Sequence, residues 1–446
     1  MALIFLFSIV ALLNILLSIN VPLYGNTTLG YYYTNWYFGS QRAEQSLIVD
    51  TGSYKTLIDC NNCTDCGTHI HKPFNMTSST TLTSPNSLND FSCTDCGFYS
   101  SYSEGSSYSG KYVQDIVRIG DKDVNLVFGC ISSETGLFIT QSADGITGLA
   151  PQFNILEYDP PTPDKALFNQ NIIDSDIVSM CLGSNGGQLG FGTPNNSTHI
   201  PNSRELNIKV DNEKWLFRYN VYISSIVIEG MDVGLEFEGM LDSGTTYTYF
   251  EGKLYDSIAN YFNQFCQKSS DNCGGYSELT SCFMKGWLTT ESEFFASFPV
   301  LEFYFGDNNL YEWKPASYLI NTDAGYCIGL AKGNTMLGAS FMKDHDFVFD
   351  NTRMELTIKK ANCNLHSSPY KHRLHMINPY NKHLNQVVSM NKRTRWVPYS
   401  SHKEQKIYTV VFLVFAIMLL IIWYLNNKKT REYVLMDDEE VENCKN

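Results

Sequence analysis

Positive charge is scarce in this chain of 446 residues: 32 Lys and Arg stand against 46 Asp and Glu, a formal net charge of −14. Without a cationic face it has nothing with which to hold a phosphate backbone, so nucleic acid is excluded as a partner. Charged residues of both signs make up only 17% and hydrophobic ones 43%, which excludes a disordered chain. Long apolar runs are absent from the interior of the sequence, which excludes a polytopic membrane protein. What the chain has in excess is cysteine. Thirteen are too many for a reducing cytosol and point to an oxidising compartment with a disulfide framework.

The two apolar runs lie at the ends. Residues 1–20, MALIFLFSIVALLNILLSIN, read as a secretory signal peptide with cleavage near Ser18 to Val21, although no Lys or Arg precedes the apolar core. Residues 407–425 carry no charge and reach across a hydrocarbon core of about 30 Å as a helix. Tyr408, Trp423 and Tyr424 sit at the ends of that run, and Lys428, Lys429 and Arg431 follow it. Such charge stays cytoplasmic, so the expected topology is a single C-terminal membrane helix, with residues 426–446 inside and the bulk of the chain lumenal or extracellular. Twelve cysteines fall on the lumenal side and Cys444 alone in the tail. Glycosylation sequons begin at Asn26, Asn62, Asn75, Asn195 and Asn196, all lumenal. In the tail, Tyr433-Val434-Leu435-Met436 reads as an adaptor-binding signal of the Tyr-x-x-apolar kind, which binds as an extended peptide.

Between Tyr31 and Cys363 the chain is a succession of short runs rich in Val, Ile, Tyr and Phe, separated by Gly, Asn, Asp and Ser. Ser46–Val49, Val124–Phe128, Tyr219–Ile228 and Phe347–Phe349 are expected strands, and Lys253–Cys266 an expected helix. The fold class is therefore mostly β. Residues 366–406 hold eight Lys or Arg, five His and one acid, and read as a basic stalk leading to the membrane.

Two segments repeat one another. Leu47-Ile48-Val49-Asp50-Thr51-Gly52-Ser53 matches Gly239-Met240-Leu241-Asp242-Ser243-Gly244-Thr245, with the two Asp 192 positions apart. Each is an apolar strand ending in Asp, a hydroxyl residue, Gly and a second hydroxyl residue. Two carboxyls held face to face do not readily both ionise, and they share one proton. The ionised member can take a proton from a water between them, and the protonated member can donate to a carbonyl. Gly52 and Gly244 let the backbone pass close to a carboxylate. Ser53 and Thr245 can fix the outer oxygens, with Thr51 and Ser243 supporting the loops.

At these residues the chain resembles the pepsin-like aspartic proteases, and the likeness covers Tyr31 to Cys363. Asp144–Ala150 and Thr335–Phe341 resemble the hydrophobic-Gly segments that brace the two catalytic loops in that family. Phe347-Val348-Phe349-Asp350 resembles the strand that follows. The resemblance implies two protease lobes, at 21–205 and 206–365, with Asp50 and Asp242 as the catalytic pair. It also implies polypeptide substrates and no metal or organic cofactor. Tyr102-Ser103-Glu104-Gly105-Ser106 looks like the flap hairpin that closes the family's cleft, with Tyr102 over the first subsites. The family pairs this tyrosine with a tryptophan seven residues past the first Asp, and here that position is Leu57. A pro-segment long enough to fill a cleft is also missing, because only residues 21–30 separate the expected leader from Tyr31-Tyr32-Tyr33. The rival reading is a catalytically silent peptide binder on the same fold, and two intact Asp-x-Gly triplets argue against it.

Cys60, Cys63 and Cys66 form C-x2-C-x2-C after the first catalytic strand, and Cys93 and Cys96 form C-x2-C before the flap. With His69 and His71 nearby, these are compatible with zinc, but an oxidising lumen favours disulfides, with Cys130 as the sixth member and the connectivity open. An insert of this kind is similar to that of membrane-anchored protist proteases of the plasmepsin V type. Resemblance to other anchored family members implies the bridges Cys181–Cys363 and Cys282–Cys327, with Cys266–Cys273 closing a local loop.

Overall fold

The computed structural model describes residues 18–364, except 86–90, 92, 103–104, 153–158, 211–216, 269–281, 287 and 307–308. The expected leader up to residue 17, the expected stalk, membrane helix and Tyr433–Met436 signal, and Cys273 lie outside the described residues, as does the side chain of Cys266. Among the described residues, no helix is long and apolar enough to cross a membrane.

The first half contributes β1 (Ile19–Asn26), β2 (Tyr31–Phe38), β3 (Ala43–Asp50), β4 (Thr56–Asp59), β5 (Gly97–Ser101), β6 (Ser107–Ile119), β7 (Lys122–Glu134) and β8 (Gly145–Gly148). After α1 (Pro163–Asn169) it ends with β9 (Ile177–Gly183) and β10 (Gly186–Phe191). The second half contributes β11 (Glu205–Lys209), β12 (Asn220–Ile228), β13 (Met231–Asp242), β14 (Thr248–Phe250) and α2 (Gly252–Lys268). It continues through β15 (Cys282–Phe283), α3 (Glu291–Ala296), β16 (Leu301–Phe305), β17 (Asn309–Trp313) and α4 (Pro315–Tyr318). Last come β18 (Leu319–Thr322), β19 (Gly325–Ile328), β20 (Leu330–Lys332), β21 (Met336–Gly338), α5 (Ala339–Met342), β22 (His345–Asp350) and β23 (Glu355–Lys360). The four expected strands and the expected helix fall on β3, β7, β12, β22 and α2.

Each half wraps an aromatic core. Phe38, Phe74 and Phe128 meet edge to face in the first, with Phe38 and Phe128 at 4.9 Å between ring centres. In the second, Phe303 meets Trp313 and Phe341 edge to face, and the Trp313 indole N–H donates to the Ser340 carbonyl at 2.9 Å. Truncating one such ring to Ala costs about 3–5 kcal/mol. The end of β3 is apolar on both faces because it is covered on both. Leu47, Ile48 and Val49 are all buried, and β3 pairs in parallel with β8.

A six-stranded layer joins the halves in the order β11-β23-β22-β9-β10-β1. Its middle is the antiparallel contact of β9 with β22, in register at Met180 and Phe347. The disulfide Cys181–Cys363 crosses the same junction. Beneath it the Asn351 side-chain amide donates to Asp164 and Asp176 at 3.4 Å each and accepts from the Tyr219 hydroxyl at 3.1 Å. Lys165 closes the group on Asp176 at 2.8 Å. Burial, and then the charge of Asp176, push the Asp164 carboxyl well above the usual range.

Two expected boundaries move. Ile19 and Asn20, which fall inside the expected leader, belong to β1, where they pair with Phe191 and Gly190. The stretch taken as a short spacer before Tyr31 is largely this strand. Glu205 belongs to β11, which pairs with β23 of the second half, not with the first lobe.

Candidate active site

Asp50 ends β3 and Asp242 ends β13, and both sit where two parallel strands finish together. Asp50 is in register with Gly148 of β8, and Asp242 with Gly338 of β21. The hydrophobic-Gly segments thus lie beside the two loops, as the resemblance implied. Backbone N–H groups of Leu149 and Ala150 donate to Asp50 O and Ser53 O, both at 2.8 Å, and Ala339 N–H donates to Thr245 O at 2.8 Å. Neither loop can shift without breaking these bonds.

The loops clasp one another with near two-fold symmetry. Thr51 Oγ1 donates to Leu241 O at 2.9 Å and accepts from Ser243 N–H at 2.9 Å. Ser243 Oγ donates to Val49 O at 2.8 Å and accepts from Thr51 N–H at 3.0 Å. Both side chains are fully buried. Each carboxylate is then held from its own loop. Gly52 N–H donates to Asp50 Oδ1 at 2.8 Å and the Ser53 hydroxyl to Oδ2. Gly244 N–H donates to Asp242 Oδ1 at 3.0 Å and the Thr245 hydroxyl to Oδ2 at 2.6 Å.

The glycines decide how close the carboxyls come. A Cβ on Gly52 would lie 2.6 Å from Asp242 Oδ1, and one on Gly244 would lie 2.5 Å from Asp50 Oδ1. Any side chain at either position would collide with the opposite carboxylate. Burial, and then the charge of Asp242, push the Asp50 carboxyl well above the ordinary range.

The described residues of the expected flap, Tyr102, Gly105 and Ser106, lie between β5 and β6, and Ser103 and Glu104 lie outside the described residues. Tyr102 N–H donates to Ser106 O at 2.9 Å, and Gly105, at φ +93°, turns the chain. Tyr102 rests edge-on against Phe138 at 5.0 Å and Tyr108 at 6.1 Å, and those two stack on each other at 3.8 Å. Leu57 is fully buried in β4 and offers no side-chain N–H to the flap. Lys55 supplies a different link: its Nζ donates to Ser100 Oγ on β5 at 3.3 Å, and burial pushes its pKa down.

All the described cysteines of the insert form disulfides: Cys60–Cys130, Cys63–Cys66 and Cys93–Cys96. Cys282–Cys327 joins β15 to β19. The two histidines considered as metal ligands instead serve carboxylates. His71 Nδ1 lies 2.6 Å from Asp144 Oδ2, and His69 Nε2 lies 2.9 Å from Asp59 Oδ2 and 3.2 Å from Glu134 Oε2. Asp59, Cys66 and Glu134 bring ligand-type atoms within 4.8 Å of one another, but the Cys66 sulfur is committed to Cys63 and His69 occupies the two acids. Sequence reading missed this ion group and the Lys55 tie. An H-x-H pair inside a disulfide insert, with an acid just before its first cysteine, was the available signal. Of the sequon asparagines, Asn62, Asn75 and Asn196 are exposed, while Asn26 and Asn195 are half-buried.

The sequence profile for "Eukaryotic aspartyl protease" matches residues 31–361. Among curated relatives, "Plasmepsin V" of Plasmodium falciparum is 25% identical over 440 residues, covering 78% of this chain and 74% of the relative. "Aspartic protease 5" of Toxoplasma gondii is 25% identical, over 76% of this chain and 37% of its own length. "Syncephapepsin" of Syncephalastrum racemosum is 30% identical, over 51% of this chain and 55% of its own.

Proposed function

Given that the chain belongs to the eukaryotic aspartyl protease family and is an aspartic-type endopeptidase acting on polypeptides, we propose that Asp50 and Asp242 are its catalytic pair. The observation that carries this is the fit of each loop's glycine against the opposite carboxylate. Two buried carboxyls that close hold one proton between them. A water bound between them gives a proton to the ionised member and attacks the scissile carbonyl. The protonated member donates to the carbonyl oxygen, and a tetrahedral diol forms. Its collapse breaks the C–N bond and returns the proton to the leaving amine. The outer hydrogen bonds from Ser53 and Thr245 keep both carboxyls aimed at one point, so little reorganisation is needed. Tyr102 closes over the bound peptide as the flap and keeps bulk water out.

The same reading places the enzyme in the secretory pathway or outside the cell, anchored by residues 407–425. Five disulfides, the apolar leader and relatives that include secreted aspartic proteases support it. Sugar at the sequon asparagines and sorting through Tyr433–Met436 belong to this part of the proposal.

The test is hydrolysis of a peptide library by the full chain and by Asp242→Asn. The amide keeps the shape and cannot act as a base, so turnover should vanish while the melting temperature stays within a few degrees. Near-normal turnover in the variant would remove Asp242 from the mechanism.

A further inference from the structure

The flap tyrosine has lost its usual tryptophan neighbour, and another device holds the floor beneath it. That floor is the segment from Glu134 to Gln141. Thr135 N–H donates to Ser107 O at 2.9 Å, Ser107 N–H donates to Thr135 Oγ1 at 2.9 Å, and Leu137 N–H donates to Ser106 Oγ at 2.8 Å. The returning strand of the flap is therefore hydrogen-bonded to this segment along its first residues. Phe138 rises from the same segment to meet Tyr102.

Both ends of the segment are gripped by one side chain of the cysteine-rich insert. At one end, His69 Nε2 faces Glu134 Oε2 at 3.2 Å and Asp59 Oδ2 at 2.9 Å. At the other, His69 Nδ1 lies 3.1 Å from the Gln141 carbonyl oxygen. With both acids ionised every partner is an acceptor, and in that state both ring nitrogens carry protons and the ring is a cation. The three side chains of the ion group are only 3% (His69), 1% (Asp59) and 1% (Glu134) exposed. Gln141 then passes the constraint on, because its Nε2 donates to the Tyr108 hydroxyl at 2.9 Å. The insert itself is fixed to the lobe: Cys60–Cys130 pins its start to β7, and Ile70 N–H donates to Ser142 O at 2.8 Å. Gly67 N–H adds a bond to Glu134 Oε2 at 3.1 Å.

We infer that His69 is a positioning residue for peptide hydrolysis: from the insert it holds residues 134–141, and through Phe138 and Tyr108 it sets the height of Tyr102 over the cleft. This rests on Tyr102 being the flap tyrosine, as proposed above. A buried cation that bridges two acids is costly to leave half-made, so the geometry is strongly determined as long as all three members are present. Removing His69 leaves Glu134 with only the Gly67 N–H, leaves Asp59 without its cation, and cuts the imidazole's hold on both ends of the segment at once.

The experiment is a double-mutant cycle on the full chain, with the active fraction counted by titration with a tight-binding pepstatin-type inhibitor. His69→Gln should lower kcat/KM per active site by about tenfold, and the same substitution in a Tyr102→Ala background should change it by less than about twofold. An equal factor in both backgrounds would overturn the inference and assign His69 to the fold alone. If His69→Gln does not fold, Tyr108→Phe decides by the same cycle, since it removes one hydroxyl and leaves the ion group intact. It should cost about threefold in the native background and nothing beside Tyr102→Ala, and equal costs would again overturn the inference. Should Tyr102→Ala itself match wild type, the flap reading fails, and the role of His69 fails with it.

Discussion

Replacing Thr51 by Val swaps a hydroxyl for a methyl of similar size in a fully buried position. Two hydrogen bonds disappear: the donation to Leu241 O and the acceptance from Ser243 N–H, each 2.9 Å long. Neither orphaned backbone group can reach water, and each costs about 1–3 kcal/mol when left unpaired. The expected loss is therefore about 3–4 kcal/mol, which for a fold of this size lowers the melting temperature by about 4–6 °C. Activity should fall further than stability suggests. The clasp sets the distance between two carboxyls that Gly52 and Gly244 allow to approach within van der Waals limits, and a misplacement of about 1 Å in reacting groups costs on the order of 100-fold. Differential scanning fluorimetry and peptide hydrolysis on the full chain would measure both. Ser243→Ala provides the symmetric control, since it removes the bonds to Val49 O and from Thr51 N–H. The double variant should cost less than the sum, because either single change already opens the same clasp. A Thr51→Val enzyme that melts within a degree of wild type and keeps its kcat would refute the reasoning.

Tyr102→Ala should lower kcat/KM by about 10–100-fold without abolishing turnover, because a flap shields and orients the substrate but moves no proton; complete loss, or none, would contradict that role. Stability should decline as pH rises. Burial holds the Asp59 carboxyl up at about 6, against 3.8 in an ordinary peptide. For His69, burial alone would push the imidazole down, but its hydrogen bonds to Asp59 and Glu134 outweigh this and raise it from 6.5 to about 10. Both groups bind protons more tightly when folded, so the contribution of Asp59 is full below 3.8 and lost as pH passes 6, and that of His69 is full below 6.5 and lost as pH passes 10. Melting temperatures measured from about pH 6.5 to 10 should fall in wild type and flatten in His69→Gln, and a rise over that window would reverse the sign assigned here. Non-reducing peptide mapping should recover Cys60–Cys130, Cys63–Cys66 and Cys93–Cys96 as linked pairs, whereas free thiols with one equivalent of zinc would contradict the insert's architecture.

The paired Asp-x-Gly loops were legible in the sequence because their chemistry is local. A strand, an acid, a hydroxyl and a glycine must follow one another in the chain, and that order survives without any knowledge of the fold. The same holds for the apolar runs of β3, β7 and β22, which announce burial directly, and for the β-type run of β12, which is only half buried. Ile19 was hidden for the opposite reason. The alternation of Ile19, Val21 and Leu23 begins inside a longer apolar run, and hydropathy alone does not separate a leader from the strand that continues it. The role of His69 was not legible because its partners lie far away in sequence. Glu134 is 65 residues distant, and no local pattern distinguishes a histidine awaiting two acids from one awaiting a metal. Spacing likewise left the cysteines open, since C-x2-C suits a disulfide between neighbours as well as shared ligation.

The layer that joins the two halves also dictates when this enzyme can come into being. β9 leaves the ribosome long before its partner β22, and the edge of β9 stays bare until residues 345–350 arrive. Cys181 waits for Cys363 over 182 residues of synthesis. Thr51 has no clasp until Ser243 has emerged, so Asp50 waits through the synthesis of about 190 residues as a lone, unbraced acid at the end of a strand. Nascent chains that stop before β22 would expose a long apolar sheet edge to any neighbouring strand. Proteolytic competence is thus a property of the nearly finished chain: a polypeptide still threading into its compartment carries both halves of a blade that has not yet closed.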